Sequence, residues 1–315
     1  MEAAAVRQVP MAAPRSRRRQ EPPKPTPPTR VGMTLDPNDL LSRAMLKVGG
    51  VLGRYHQHRV LHLERLGDLI GSGRRAVLVG NHVLDVIDPF LFVRSVYERY
   101  GVVPRTMGHP AWFSTPGLRD LTQRYKVIRS RDPDSARQAL REDGLLMLFP
   151  GAVREAAMRD FHREPYTLKW EDRYGFLRLA LEEDAEILFF AAVGNEQLYY
   201  QSSLPVPDTL VRYFANGDRS RYEGLRLSFG VLGPHLVPGL FPFPAQITHV
   251  VSRPIDLGNR ARAARTPAAF AELHRLVQSE CQTFLDRAVA EHGQSATLVN
   301  RGVRASHALL RRLGL

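Results

Sequence analysis

Residues 80–90 read Gly-Asn-His-Val-Leu-Asp-Val-Ile-Asp-Pro-Phe and follow directly on the apolar run Ala76-Val77-Leu78-Val79. The run is short, β-branched in part and bounded by glycines, so it predicts a buried strand. His82 then stands where that strand ends. Asp88-Pro89 has the form of a helix start, with Asp as N-cap and Pro at the first helical position. An imidazole with a pKa near ~6.5 can accept a proton at neutral pH. A carboxylate on its other nitrogen would fix the tautomer and stabilise the imidazolium. No serine or cysteine nucleophile is evident beside the pair, so the substrate would supply its own hydroxyl. Plainer readings stay open: Asp88 as a cap alone, His82 as a hydrogen-bonded loop residue, and Asp85 as a rival partner.

A second segment repeats the pattern. Residues 145–156 read Leu-Leu-Met-Leu-Phe-Pro-Gly-Ala-Val-Arg-Glu-Ala, an apolar strand entering a Pro-Gly turn and then an Arg-Glu pair. A loop glycine lets backbone N–H groups approach a ligand closely. Arg154 could bind a phosphate or a developing oxyanion. By itself the segment reads first as an ordinary strand-turn-helix carrying a surface ion pair.

Taken together, the two segments resemble the lysophospholipid acyltransferase superfamily, which includes 1-acylglycerol-3-phosphate acyltransferases. Asn81-His82 followed by Asp88-Pro89 is similar to its first motif with one extra residue inserted, and Phe149-Pro150-Gly151-Ala152-Val153-Arg154-Glu155 replaces its third, Phe-Pro-Glu-Gly-Thr-Arg. Both departures look like the diacylglycerol acyltransferase-like branch, which includes plant phytyl ester synthases. Trp170, Arg173, Gly175 and Phe176 resemble a further segment of that branch. Ile187–Val193 with Gly194-Asn195-Glu196 resembles the fourth block. Arg129 and Arg131 fall where the second block carries an arginine, although the preceding glycine is missing. The resemblance covers residues 60–290.

The resemblance implies acyl transfer from a thioester, acyl-CoA or acyl carrier protein, to a lipid hydroxyl, with no metal and no resident cofactor. It implies that His82 deprotonates the acceptor, oriented by Asp88, and that backbone N–H groups around Gly151, with Arg154, stabilise the oxyanion. It also places Asn81, Gly151, Arg154, Glu155, Arg129 and Arg131 against substrate. Glycine in place of the usual third-motif glutamate, with Glu155 beside Arg154, makes a neutral acceptor as good an expectation as a phosphate-bearing one. The rival to catalysis is a lipid-binding protein on the same fold with lapsed activity. An α/β-hydrolase is excluded by the lack of a Gly-x-Ser-x-Gly elbow.

Strands alternating with helices predict an α/β fold. A single domain would hold a central, mostly parallel β-sheet flanked by helices. Residues 1–34, rich in Pro, Ala and Arg, read as a disordered basic arm. Residues 35–70 read as a helical segment, 71–292 as the catalytic domain, and 293–315 as a basic tail. Asp132-Pro133 and Gly144 bracket a second helix, and Pro267–His292 reads as a long amphipathic one. Residues 200–246 read as irregular apart from a strand near Leu225–Val231.

Positive side chains exceed negative ones by 12. That excess suits an anionic membrane surface. It also suits nucleic acid, but no nucleic-acid motif accompanies it. Cys281 is the single cysteine, which excludes an intramolecular disulfide, and its neighbours Phe284 and Leu285 predict burial. No signal peptide is recognisable and no run reaches the roughly 18–20 apolar residues of a membrane span. The expectation is a cytoplasmic protein docked peripherally on a membrane. Two candidates could insert: the helix around Leu40–Val51, weakened by Gly49, Gly50 and Gly53, and the apolar loop Leu236–Phe243. For each, packing against the protein's own core is the competing reading.

Overall fold

A computed structural model describes residues 31–36, 38–83, 85–209, 211, 225–235, 241–258, 266–293 and 298–314. The architecture is α/β. Seven strands form the central sheet: β1 (Arg59–Leu61), β2 (Ala76–Gly80), β3 (Arg105–Gly108), β4 (Ile128–Arg129), β5 (Leu145–Leu148), β6 (Glu186–Val193) and β10 (Thr248–Val251). Their spatial order is β1-β10-β6-β2-β5-β3-β4. Every pairing is parallel except β10 against β6. Strand β2 therefore lies at the centre, paired to β5 through Val79↔Leu148 and to β6 through Gly80↔Phe190.

A strand buried on both faces reads as a continuous apolar run, and all five residues of β2 are buried. Alternation divides them between two cores. Val77 and Val79 face a layer made by α5 (Pro133–Asp143), α6 (Gly175–Glu182) and α7 (Pro267–His292). Ala76 and Leu78 face α2 (Glu64–Gly71) and α3 (Ile87–Tyr100). Cys281 lies buried in the first of these layers. The helix predicted over Pro267–His292 has those bounds in the structure. The predicted start at Asp132 is also present: its side chain accepts from Ser135 N, and Gly144 ends the helix at φ 69.

Three regions differ from the sequence expectation. Residues 200–246 contain an antiparallel three-stranded sheet of β7 (Tyr200–Pro205), β8 (Arg226–Gly230) and β9 (Gly233–His235). The helical segment 35–70 holds the edge strand β1 between α1 (Leu40–Tyr55) and α2. Residues 298–312 form α8 (Leu298–Arg312), and its Val303 is buried in a third core with Leu198, Tyr199 and Phe243. Of the segment read as an arm, residues 31–34 are described: Val31 is buried and Met33 bridges to Val103. Residues 1–30, and 236–240 of the apolar loop, lie outside the described residues.

Candidate active site

The centre of the sheet delivers two loops to one place. Because β2 and β5 are parallel neighbours in register, the residues that follow them emerge side by side at the C-terminal edge, where open α/β sheets bind ligands. His82 follows β2, and Phe149-Pro150-Gly151 follows β5. The His82 ring stacks on Phe149 with centroids 4.5 Å apart and planes at 22°. Its Nδ1 is buried without a hydrogen-bond partner. Burial lowers the imidazole to about 4, because desolvation disfavours the cation. At neutral pH it is an unprotonated base.

Asp88 does not cap its helix. Helix α3 starts at Ile87, and the acceptor for its first N–H groups is Asp85 Oδ1, at 2.6 Å from Val86 N and 3.0 Å from Ile87 N. Pro89 fits two positions further in than predicted, as the third helical residue, since first-turn N–H groups have no intrahelical partner to lose. Freed from capping, Asp88 turns inward and is fully buried. Its Oδ2 accepts from Asn195 Nδ2 at 3.1 Å, while Oδ1 has no partner. Burial, and then the neighbouring Asp85 carboxylate, push its pKa well above the usual range. Asp85 itself is raised to about 7 by burial, partly offset by the two backbone N–H groups. No hydrogen bond joins His82 to Asp88, although each buries one unsatisfied atom of complementary type.

Glu155 holds the site together. It is fully buried, with Oε1 accepting from His82 N at 2.7 Å and Oε2 accepting from Lys169 N at 2.9 Å. It lies in a π-helical turn, Arg154–Met158, a form of helix common at functional sites. Burial raises it to about 7 against these hydrogen bonds and the nearby Arg159. A Cβ on Gly151 would lie 2.4 Å from Glu155 Cβ, so the glycine makes room for the carboxylate to fold under the turn. Glu155 therefore does not neutralise Arg154, which is half exposed and paired to Glu171 at 2.7 Å. The plain reading of that arginine, a surface ion pair, is what the structure contains.

The remaining predicted residues divide. Asn81 spends both ends of its amide on the β6 backbone, donating to Ala192 O at 3.0 Å and accepting from Ala192 N at 2.7 Å. It locks the loop to the sheet. Arg129 lies over the Phe113 ring at 4.9 Å. Arg131 has a left-handed backbone, φ 71, and its charge depresses the pKa of His109, after burial. Arg173 was not predicted as a site residue. It donates to the carbonyls of Pro150, at 3.2 Å, and of Gly151. The sequence marked its segment but not this role, which is visible only once the turn's carbonyls have a direction. Asn195 was likewise missed; Gly194, at φ 93, turns the chain out of β6 to bring it to Asp88.

An α/β sheet with a neutral histidine at the end of its central strand, beside a buried carboxylate, is the class that fold and site define. Residues 83–299 match the diacylglycerol acyltransferase family, and the chain belongs to it. The matched span begins one residue after His82. Phytyl ester synthase 2, chloroplastic, of Arabidopsis thaliana is 28% identical over 224 residues, 66% of this chain and 31% of that protein. Phytyl ester synthase 1, chloroplastic, of the same plant is 24% identical over 221 residues, 65% of this chain and 31% of that protein. The Mus musculus "DGAT1/2-independent enzyme synthesizing storage lipids" is 25% identical over 134 residues, 42% of this chain and 38% of that protein. The chain thus spans about a third of the length of these relatives.

Proposed function

We propose that the protein transfers a fatty acyl group from a thioester, acyl-CoA or acyl carrier protein, to the hydroxyl of a lipid acceptor, with His82 as general base. The observation that carries this reading is the placement of an unprotonated imidazole at the end of β2, with its buried Nδ1 directed away from solvent. That leaves Nε2 to take the acceptor's hydroxyl proton as the alkoxide oxygen bonds to the thioester carbonyl carbon. The tetrahedral intermediate then expels the thiolate, and the imidazolium returns its proton to the sulfur. A cation on His82 favours the ionised form of Asp88, whose unpaired Oδ1 is the group available to stabilise it. Arg173, by holding the carbonyls of Pro150 and Gly151, orients the turn whose N–H groups would face the oxyanion.

A neutral acceptor, such as a mono- or diacylglycerol or a long-chain alcohol, is favoured over a phosphate-bearing one. Arg154 is engaged with Glu171 at the surface, and Arg173 is engaged with the turn's own backbone. The likeness of the first and third motifs to 1-acylglycerol-3-phosphate acyltransferases supports the chemistry rather than that acceptor. Peripheral membrane docking belongs to the same reading. No helix among the described residues is long and apolar enough to cross a membrane, yet α1 turns Leu40, Leu41, Val48, Val51 and Tyr55 to solvent. Of the apolar loop, Phe241 is 58% exposed and Phe243 only 8%, packed in the third core.

One observation favours a second reading, a lipid-binding protein without turnover: no hydrogen bond joins His82 and Asp88. The two separate on one experiment. Protein and His82→Ala are incubated with labelled palmitoyl-CoA or palmitoyl carrier protein and a panel of lysophosphatidate, monoacylglycerol, diacylglycerol and long-chain alcohol, and the extracted esters are identified by mass. Acyl transfer predicts a new ester made by the wild type and reduced at least ~10²-fold in His82→Ala. Lipid retained by both proteins with no ester from either donor would establish the binding reading.

A further inference from the structure

A basic groove lies away from His82, between α1, the start of β1 and the middle of α3. It is open to solvent, about 650 Å³ in volume, and its walls carry Arg54, His58, Arg59, Arg94 and Glu98. Three guanidinium groups face one carboxylate. That carboxylate, Glu98, is already paired with Arg94. Arg59 Nε donates to the Thr248 hydroxyl at 2.9 Å. Arg94 Nε donates to Leu46 O at 3.3 Å. Each therefore has its orientation fixed while guanidinium donors remain. Gly50 and Gly53 contribute no side chains to the α1 wall, so the Arg94 guanidinium lies against the bare helix. The glycines that weakened the helix on propensity are what opens this space. His58 closes the floor, with its Nε2 at 2.9 Å from Nδ1 of the buried His249. Beyond His249 come Phe190, then Phe149, and only then His82.

We propose that this groove binds the phosphate of an anionic lipid head group. A fork of planar guanidinium donors suits a phosphate, which accepts paired, charge-assisted hydrogen bonds. The source follows from what adjoins it. Val51 and Tyr55, exposed on α1, stand next in the chain to the groove residues Gly50 and Arg54. Arg43, Lys47 and Arg54 flank the apolar stripe on the same exposed face. A helix with an outward apolar stripe and basic flanks lies in the head-group layer of an anionic bilayer, which brings head-group phosphates to the groove mouth. The inference rests on the peripheral docking reading above and makes it specific to one head-group chemistry.

The test is co-sedimentation of the full chain with vesicles of phosphatidylcholine alone or with one-fifth phosphatidate. The proteins compared are wild type, Arg54→Gln/Arg59→Gln, and Gly53→Leu, and each arm is repeated in the presence of adenosine 3′,5′-bisphosphate. The Cβ of a side chain at position 53 meets Arg94 at 3.5 Å and Leu91 at 3.8 Å, which is ordinary contact, so Gly53→Leu fills the groove without removing charge. Circular dichroism melts establish that each variant is folded. The expected result is phosphatidate-dependent binding that is salt-sensitive and at least tenfold weaker in both variants, with the bisphosphate competing poorly. Equal binding of all three proteins to phosphatidate vesicles overturns the groove and leaves the docking reading standing. Wild type that binds neither vesicle overturns both. Tight bisphosphate binding that the variants lose, without vesicle dependence, reassigns the groove to a soluble nucleotide and overturns the lipid proposal.

Discussion

At the scale of residues, the site is organised by a carboxylate that is fully buried. Glu155 spans the loops after β2 and β5, and each of its oxygens accepts one backbone N–H. Glutamine has only one oxygen to offer, so Glu155→Gln strands the N–H of either His82 or Lys169. An unpaired buried donor costs about 1–3 kcal/mol, and the loss should be read as a lower urea midpoint. The His82 loop shifts with it, and kcat should fall by roughly tenfold or more, since small misplacements of a catalytic group are costly. Activity and midpoint both at wild-type values would remove Glu155 from this role. The contrast between two aspartates explains how much of the site is readable in advance. Asp132-Pro133 and Asp88-Pro89 carry the same signature, and Asp132 caps its helix as predicted. Asp88 does not, because the helix starts one residue before it, at Ile87, and Asp85 accepts from the N–H groups of Val86 and Ile87. The local pattern names a helix start; which of two nearby carboxylates serves it depends on where the chain must bury the other. Arg154 and Arg173 differ in the same way: the sequence offers both, and only the direction of the turn assigns them.

At the scale of elements, β2 and β5 were legible as buried strands, because each is a short apolar run, and the alternation of strands with helices indicated a mostly parallel sheet; that the two are neighbours is seen only in the structure. What was not legible is helix α8 and the small antiparallel sheet that β7 and β9 complete around β8, the strand there that the sequence did mark. Both are stabilised mainly by what they pack on. Helix α8 is rich in arginine and reads as a tail until Val303 meets Leu198 and Phe243. The exit from β6 is a tight junction: Gly194 is left-handed, and a Cβ there would sit 1.9 Å from Gln246 O. Gly194→Ala must move that backbone or Asn195, so about 1–3 kcal/mol of destabilisation is expected in chemical denaturation. Turnover should fall further than stability alone explains, because Asn195 holds Asp88. A variant as stable and as active as wild type would mean that the junction relaxes without disturbing Asp88.

At the scale of the whole molecule, the balance of buried ionisable groups sets the response to acid. His56, His58, His82 and His307 are lowered to about 4, in every case chiefly by burial. Unfolded imidazoles take up protons near ~6.5. The stability these groups contribute is therefore fully present above that pH and lost as pH falls towards 4. Asp85 and Glu155, raised to about 7, and Asp88, raised well above the usual range, act the other way: the stability they contribute is present at low pH and is lost as pH rises through their folded values. The imidazoles outnumber these carboxyls, so the urea midpoint should decrease between pH 6.5 and 4.5. A midpoint that rises on acidification would mean that the carboxyls dominate. The sheet that carries all of this ends in very short strands, three residues in β1 and two in β4. An exposed strand edge is a template on which another chain can pair and aggregate. Edges this short offer few free N–H and C=O groups, so the central sheet is poorly suited to seeding intermolecular β-structure even at high concentration.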